Sequence, residues 1–481
     1  MAVPYDIVVI GGGSGGLVAA SFAAQLKAKV ALVEREERIG GDCLWYGCVP
    51  SKSLIHVSRL AHETRQAAQT GLILNSGING SGPDVDYLKV YQHIKAAQNF
   101  IANHADSPDR FRKLGVDLIF GSGRFLDKQT FEVNGRQLKG RAFIIATGSR
   151  PQVPPVPGLE EVGYLTNEKI FDLTNRPASV AVIGAGPIGC ELGQALSRLG
   201  SRVILIASRE TILPKEDPEA ARVVQQQLQR EGIEIISKAR AESASQQQGK
   251  KQLRVSGQVL TVDEIVVAAG RVPNVEELNL EAAGVGYDPS GIKVDKHLRT
   301  SNPKVYACGD VIGGYQFTHV AGYEGFVAAT NALLLPLVKA KYRVIPWATF
   351  TDPELARVGL TEAEARQQYT DVVVLKHDFA EVDRAQAEAA TVGFAKLICR
   401  RKGEILGAHL VGASAGELLS EIVLAMNYQL PVSALTGMHI YPTLSEVNAK
   451  AALQLAKQKY AKNLWQQNLL QNLFSFLRSL G

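Results

Sequence analysis

Cysteine is scarce in this chain, with five among 481 residues, and the number is odd. A secreted disulfide framework is therefore excluded, and a reducing compartment is expected in which any disulfide is catalytic. Charge of one sign is lacking too. The 52 Lys and Arg against 47 Asp and Glu leave +5, spread without basic blocks or interleaved aromatic repeats, so nucleic acid is not expected as a partner. The opening MAVPYDIVVIGGG shows no basic region or cleavage site before its first strand, and the expected location is cytoplasmic. No second Cys or His pair stands at ligand spacing near Cys43 and Cys48, so no metal site is expected. What is abundant is apolar residues, at 46%, with 45 Gly and 20 Pro, enough for several cores in about three domains.

Two of the cysteines carry the chemistry. Cys43 and Cys48 lie in GGDCLWYGCVPSKSL, just before Pro50, Ser51 and Lys52 open a helix. A helix N-terminus lowers a thiol pKa through its free N–H groups and dipole, so at least one sulfur should ionise readily and the two form a redox pair. The other three, Cys190, Cys308 and Cys399, fall inside apolar elements and are expected to be inert.

The run Ile7 to Ile10 followed by Gly11, Gly13 and Gly16 reads as strand, tight turn and helix, a dinucleotide fingerprint. Glu34 closes the next strand, where a carboxylate can bond both ribose hydroxyls. The unit recurs at VAVIGAGPIGCEL with Gly184, Gly186 and Gly189, so two dinucleotides are expected. At the offset of Glu34 the second unit has Ala207, followed by Ser208 and Arg209. A hydroxyl beside a guanidinium accepts a 2′-phosphate that a carboxylate would repel, which favours NADPH, with NADH the lesser expectation.

Turn-rich stretches at Ser76 to Pro83, Pro151 to Gly158 and the Gln-rich Ser245 to Gln252 mark boundaries, of which the second reads as an interdomain link. Buried strands ending in glycine turns are expected before Thr147 and Gly148, before Gly270 and Arg271, and before Gly309 and Asp310. The last offers a carboxylate to the polyol of a flavin. From about Pro346 alternating strands and a helical stretch, Ala415 to Tyr428, predict a separate α+β domain.

The ordered series GGGSGG, GGDCLWYGCVPSK, ATG, GAGPIGCE, AAGRVPN, YACGD, FTDPELARVGLTE, DRA, GFAKLI and YPTLSE resembles the FAD-dependent pyridine nucleotide-disulfide oxidoreductases, the family of dihydrolipoyl dehydrogenase, glutathione reductase and mercuric reductase. The resemblance implies an α/β chain with two Rossmann-like domains and a C-terminal α+β dimerisation domain. It divides the chain into FAD-binding parts at 1–150 and 276–345, an NAD(P)-binding domain at 151–275, a dimerisation domain at 346–460 and a terminal helix at 461–481. It also implies a homodimer in which that domain completes the partner's active site. Hydride would pass from NADPH to FAD and on to a Cys43–Cys48 disulfide, with Cys48 as the thiolate nearer the flavin and Cys43 attacking substrate. Lys52 would lie by the flavin and pair with Glu191, and Gly41 and Asp42 would join the flavin side.

One departure stands out. Where thiol reductases have His before Pro and Glu four residues after it, this chain has Tyr441, Pro442 and Glu446. An unperturbed phenol, with a pKa of about 10, does not shuttle protons near neutrality. His439, two residues earlier, is expected to be structural rather than its substitute. Mercuric reductases also lack the histidine, but this chain has neither an N-terminal CxxC carrier domain nor a cysteine pair near its end. The expected activity is thus mercuric-reductase-like, reducing a metal ion, a disulfide or a small acceptor such as a quinone. A dihydrolipoyl dehydrogenase is the runner-up, and a flavin-containing tethered binding protein with vestigial electron transfer is the reading from another class.

The closing KYAKNLWQQNLLQNLFSFLRSLG places Trp465, Leu469, Leu473, Phe476, Leu477 and Leu480 on one helical face, with Asn468, Gln471, Asn472, Ser475, Arg478 and Ser479 opposite. Its length and polar content exclude a membrane span. Packing on the protein's own surface is the first expectation, and peripheral membrane contact the second.

Overall fold

A computed structural model describes residues 4–72 and 84–480, so the turn-rich stretch at 76–83 lies outside the described residues. The chain forms two compact units: Met1–Ser208 with Gly232–Lys341, and Arg209–Glu231 with Tyr342–Gly481.

In the first unit, the strand Tyr5–Ile10, buried from Ile7 to Ile10, pairs in parallel with Val30–Glu34 on one side and Arg136–Ile145 on the other. Val116–Phe120 and Val305–Ala307 extend the parallel sheet at its two ends, and an antiparallel hairpin, Gly123–Asp127 with Thr130–Val133, branches from Arg136–Ile145. Runs of Val and Ile without polar alternation suit strands covered on both faces. Helices Ser14–Gln25 and Thr318–Leu333 pack on one of those faces. A second parallel sheet is ordered Glu234–Ile236, Arg202–Ile206, Ser179–Ile183, Glu264–Val267.

The Gln-rich stretch is not a loop. Ala241–Gln247 and Lys250–Val255 form a hairpin, turned at Gln248 and Gly249, both with positive φ. Glutamine does not break strands, and its side chains sit on the exposed face, so composition misled where the Gln-Gly turn was informative. The redox helix also begins earlier than expected, at Cys48, because Pro50 falls in the first turn where its missing N–H costs nothing.

In the second unit, the antiparallel sheet runs Pro346–Thr349, Glu354–Gly359, Ile405–Gly412, Phe394–Arg400, Val372–Asp378. Helices Ser420–Asn427 and Glu446–Lys462 cover it through Ile422, Val447 and Ala451. Helix Pro218–Arg230 belongs to this unit. Buried Lys396 bonds Asp217 at its N-cap at 3.0 Å, and Trp347 donates to Glu216 at 2.8 Å. Among the described residues the terminal helix Leu464–Ser479 has no buried side chain, and only Gln467 and Leu470 are half-buried, so any packing on the chain's own surface is slight there.

Candidate active site

The two glycine turns are built alike. Helices Ser14–Gln25 and Pro187–Arg198 open from Gly13 and Gly186, at φ −84°, ψ −172° and φ −79°, ψ −175°, and neither has a side-chain cap. Gly11 and Gly184 have φ +108° and +116°, and a Cβ there would strike the carbonyls of Ala146 and Ala268 at the neighbouring strand ends. A Cβ on Gly16 or Gly189 would strike the carbonyl of Gly11 or Gly184. The middle glycines differ: Gly186 faces nothing within 4 Å, and Gly13 faces only Gly41 Cα, at 3.8 Å. Outer glycines thus serve packing, while the middle ones leave bare backbone and unpaired helix N–H groups, where a pyrophosphate fits.

Glu34 is buried at its strand end, accepting from Gly12 N at 2.6 Å and Glu36 N at 2.9 Å. Burial pushes its carboxyl up, against the pull of those bonds. In the second unit of the repeat, Ala207 is buried and Ser208 and Arg209 are exposed.

Three motif segments converge on Arg271. Its guanidinium donates to Ser149 Oγ at 2.7 Å and lies 3.2 Å from Asp42 Oδ1 and 3.6 Å from Asp310 Oδ2. Ser149 in turn donates to Asp310 at 2.6 Å. Burial raises the Asp310 pKa, with Ser149 and Arg271 opposing it. Thr147 and Asn274 bond each other through side chain and backbone at 2.8 and 2.9 Å, fixing the turn into Gly148. Gly309 N donates to the buried Glu324 at 2.7 Å.

Cys43 lies in the short helix Gly41–Trp45, and Cys48 is the first residue of the helix Cys48–Gln66. Both are free thiols, Cys43 half-buried and Cys48 exposed. The Cys43 thiol hydrogen-bonds Cys48, which is the largest reason that Cys48 falls to about 6, against burial and with help from Thr318 and the Lys52 ammonium. The same bond, with burial, pushes Cys43 far up. The pair is thus one thiol and one thiolate near neutrality. Lys52, one turn along from Cys48, donates to Glu191 at 2.9 Å, and Glu191 is buried.

Sequence reading missed three residues that hold this loop. Thr318 Oγ1 is 3.3 Å from Cys48 Sγ. Buried Gln98 donates to the carbonyls of Leu44 and Trp45 at 3.1 and 2.8 Å. Asn167 donates to Tyr46 O at 3.0 Å and Asp42 Oδ1 at 3.2 Å. The only signal for Gln98 was a polar residue on an apolar helical face.

Tyr441, His439 and Glu446 lie in the second unit. The Tyr441 hydroxyl donates to Asp383 at 2.8 Å, and that bond raises its pKa. His439 bonds Gly437 O at 2.8 Å and Glu421 at 3.2 Å, and these partners raise its pKa against the effect of burial. Glu446 takes a long contact from Thr443 N, at 3.4 Å, and lies 3.5 Å from Lys450. The buried thiols Cys190 and Cys308 are pushed up by burial, and Cys399 to about 12. Among the described residues no Cys, His, Asp and Glu cluster could hold a metal ion.

Two glycine turns with bare backbone and a thiol beside a thiolate define a dinucleotide-dependent oxidoreductase. Residues 5–325 match the pyridine nucleotide-disulphide oxidoreductase family and residues 345–452 its dimerisation domain, so the chain belongs to that family, whose enzymes use FAD and a pyridine nucleotide. It is 36% identical over 461 residues to a mercuric reductase of Staphylococcus aureus, covering 94% of this chain and 83% of that one. It is 34% identical over 457 residues to a dihydrolipoyl dehydrogenase of Chlamydia muridarum, covering 93% and 96%. Among solved structures it resembles the HOCl-induced flavoprotein disulfide reductase RclA of Escherichia coli, with TM-score 0.82 and 27% identity over 93% of this chain and 99% of that one.

Proposed function

We propose that this enzyme is an NADPH-dependent, mercuric-reductase-like flavoprotein reductase that works as a homodimer. Its acceptor is a metal ion, a disulfide or a small molecule such as a quinone, reached through Cys43 and Cys48. FAD would be held by Gly11, Gly13, Gly16, Glu34, Gly41, Asp42, Lys52, Thr147, Gly148, Gly309 and Asp310, and NADPH by Gly184, Gly186, Gly189, Ser208, Arg209, Gly270 and Arg271. When bound, the flavin supplies the electron pair that it takes as hydride from the nucleotide.

The observation that carries the reading is the Cys48 thiolate beside the Cys43 thiol. Lys52, paired with Glu191, stabilises that thiolate. With a disulfide as acceptor, Cys43 passes its proton to Cys48 as it attacks one sulfur, and the other sulfur leaves as a thiolate that takes that proton from Cys48. Cys48, again a thiolate, then attacks the Cys43 sulfur of the mixed disulfide, closing the Cys43–Cys48 disulfide and releasing the second half as a thiolate. Tyr441 supports weak disulfide turnover, since its phenol is held protonated by Asp383 and offers no base.

The test is NADPH and NADH oxidation with Hg(II), glutathione disulfide, lipoamide and quinones. The proposal expects preference for NADPH and for acceptors that need no thiol protonation; fast lipoamide reduction with NADH would replace it with dihydrolipoyl dehydrogenase, which similarity to that enzyme supports. Arg209→Ala should cut kcat/KM for NADPH by roughly tenfold to a hundredfold and spare NADH, the cost of one charge-assisted phosphate contact. Equal loss with both nucleotides would remove Arg209 from the site.

A further inference from the structure

The terminal helix Leu464–Ser479 carries an apolar face of which, among the described residues, no side chain is buried and only Leu470 is half-buried. Trp465, Leu469, Leu473, Phe474, Phe476 and Leu477 are all exposed, Trp465 by 74% and Phe476 by 58%. At about 100° per residue Leu473 sits at the middle of an arc roughly 180° wide that is apolar except for Gln466, with Trp465 about 80° to one side and Phe474 about 100° to the other. The opposite half is Asn, Gln and Ser with Arg478, apart from Leu464.

Charge points the same way. From Val447 to Gly481 there is no Asp or Glu, while Lys450, Lys457, Lys459, Lys462 and Arg478 are all cationic. Lys457, Lys459 and Lys462 are exposed in the last turns of helix Glu446–Lys462, immediately before the apolar helix. A second copy of the chain is the poorer occupant. Helices that pair across a dimer flank their apolar seam with complementary charges that set partner and register, and here the flanks are uncharged amides and hydroxyls. The family's dimerisation domain, moreover, ends at residue 452, before this helix.

We propose that the helix Leu464–Ser479 docks the enzyme on an anionic lipid surface, lying in the plane of the interface with Leu473 and Leu477 toward the acyl chains. Trp465 and Phe474 then sit at the edges of the buried arc, at headgroup level, where large aromatic rings are favoured. Lys457, Lys459 and Lys462 meet the lipid phosphates, which supplies the second attachment that a single short amphipathic helix needs. The docking does not cross the bilayer. Among the described residues no helix is long and apolar enough to do so.

The experiment uses the full-length flavin-loaded enzyme with 100-nm vesicles of phosphatidylcholine, with and without phosphatidylglycerol. Flotation with the anionic vesicles, and a blue shift of tryptophan emission that Trp465→Phe removes, are the expected results. Leu473→Asp with Phe476→Asp should abolish flotation with flavin content and NADPH oxidation unchanged. Lys457→Gln, Lys459→Gln and Lys462→Gln together should weaken it about tenfold or more. Absence of flotation, or flotation that survives the double aspartate variant, overturns the proposal. So does conversion of dimer to monomer by that variant without any lipid binding by the wild type, which would give the face to a second copy.

Discussion

At the residue scale the working difference is between two sulfurs of identical chemistry. The Cys43 thiol stabilises the Cys48 thiolate, and the pKa values part because one proton is shared. A thiol lowered to about 6 is mostly protonated at pH 5 and about nine-tenths ionised at pH 7, so alkylation of Cys48 in the reduced enzyme should rise through pH 6 and level off above it. Cys43→Ala removes the largest lowering influence and should move that midpoint up by a unit or more, toward the ordinary value of about 8.5. Cys43→Ser keeps a donor and should move it less. An unshifted midpoint in the alanine variant would mean that Lys52 and the helix terminus, not Cys43, hold the thiolate. Tyr441 is the complementary case, a group kept from titrating. Tyr441→His restores an imidazole before Pro442, and because general acid–base help is commonly about 10² to 10⁴ in rate, disulfide turnover should rise at least tenfold over quinone turnover. His439→Ala serves as control. If it abolishes strong wild-type disulfide reduction, the histidine tied to Glu421 has taken the shuttle role, and Tyr441 is not a loss.

At the scale of elements, the repeated strand, glycine turn and helix separates packing from binding within one motif. Gly189→Ala would drive a methyl into the Gly184 carbonyl and should destabilise the fold by roughly 1–3 kcal/mol or more. Gly186→Ala meets nothing and should leave thermal stability within about a degree or two, while raising KM for the nucleotide severalfold, since the methyl occupies the pyrophosphate's approach. A Gly186→Ala protein that loses stability as Gly189→Ala does would show that the cradle is only a packing device. Both turns, both strand ends and the cysteine helix were legible because glycine, buried β-branched runs and Pro in a first turn act locally. The clamp made by Gln98 and Asn167 was not legible, since their partners stand 53 and 121 residues away and nothing in an isolated Gln or Asn points there. Helix Pro218–Arg230 is likewise held by partners distant in sequence. It follows a nucleotide-type strand, yet the buried Lys396 at Asp217 and the Trp347 bond to Glu216 tie it to the C-terminal sheet.

At the scale of the whole molecule, the proposed function makes two chains the working unit. The family's dimerisation domain occupies residues 345–452, and within it the segment Met438–Tyr441 leaves Ile440 80% and Tyr441 68% exposed, with Tyr428 nearby in sequence exposed by 73%. Large apolar side chains left bare in a domain of this kind mark the surface a second copy covers. Every cofactor motif falls before residue 345, so breaking the dimer should separate cofactor binding from acceptor turnover. Met438→Asp with Ile440→Asp places two charges on that surface, where burial without partners costs several kcal/mol. The variant should run as a monomer by light scattering, keep its flavin, and lose acceptor turnover by at least about a hundredfold, because a reacting group misplaced by an ångström already costs that much. Neither substituted side chain is assigned a chemical role, so the loss would be assembly rather than chemistry. A monomer that keeps full turnover would show that one chain suffices, and the reading in which the C-terminal domain completes the partner's active site would fall with it.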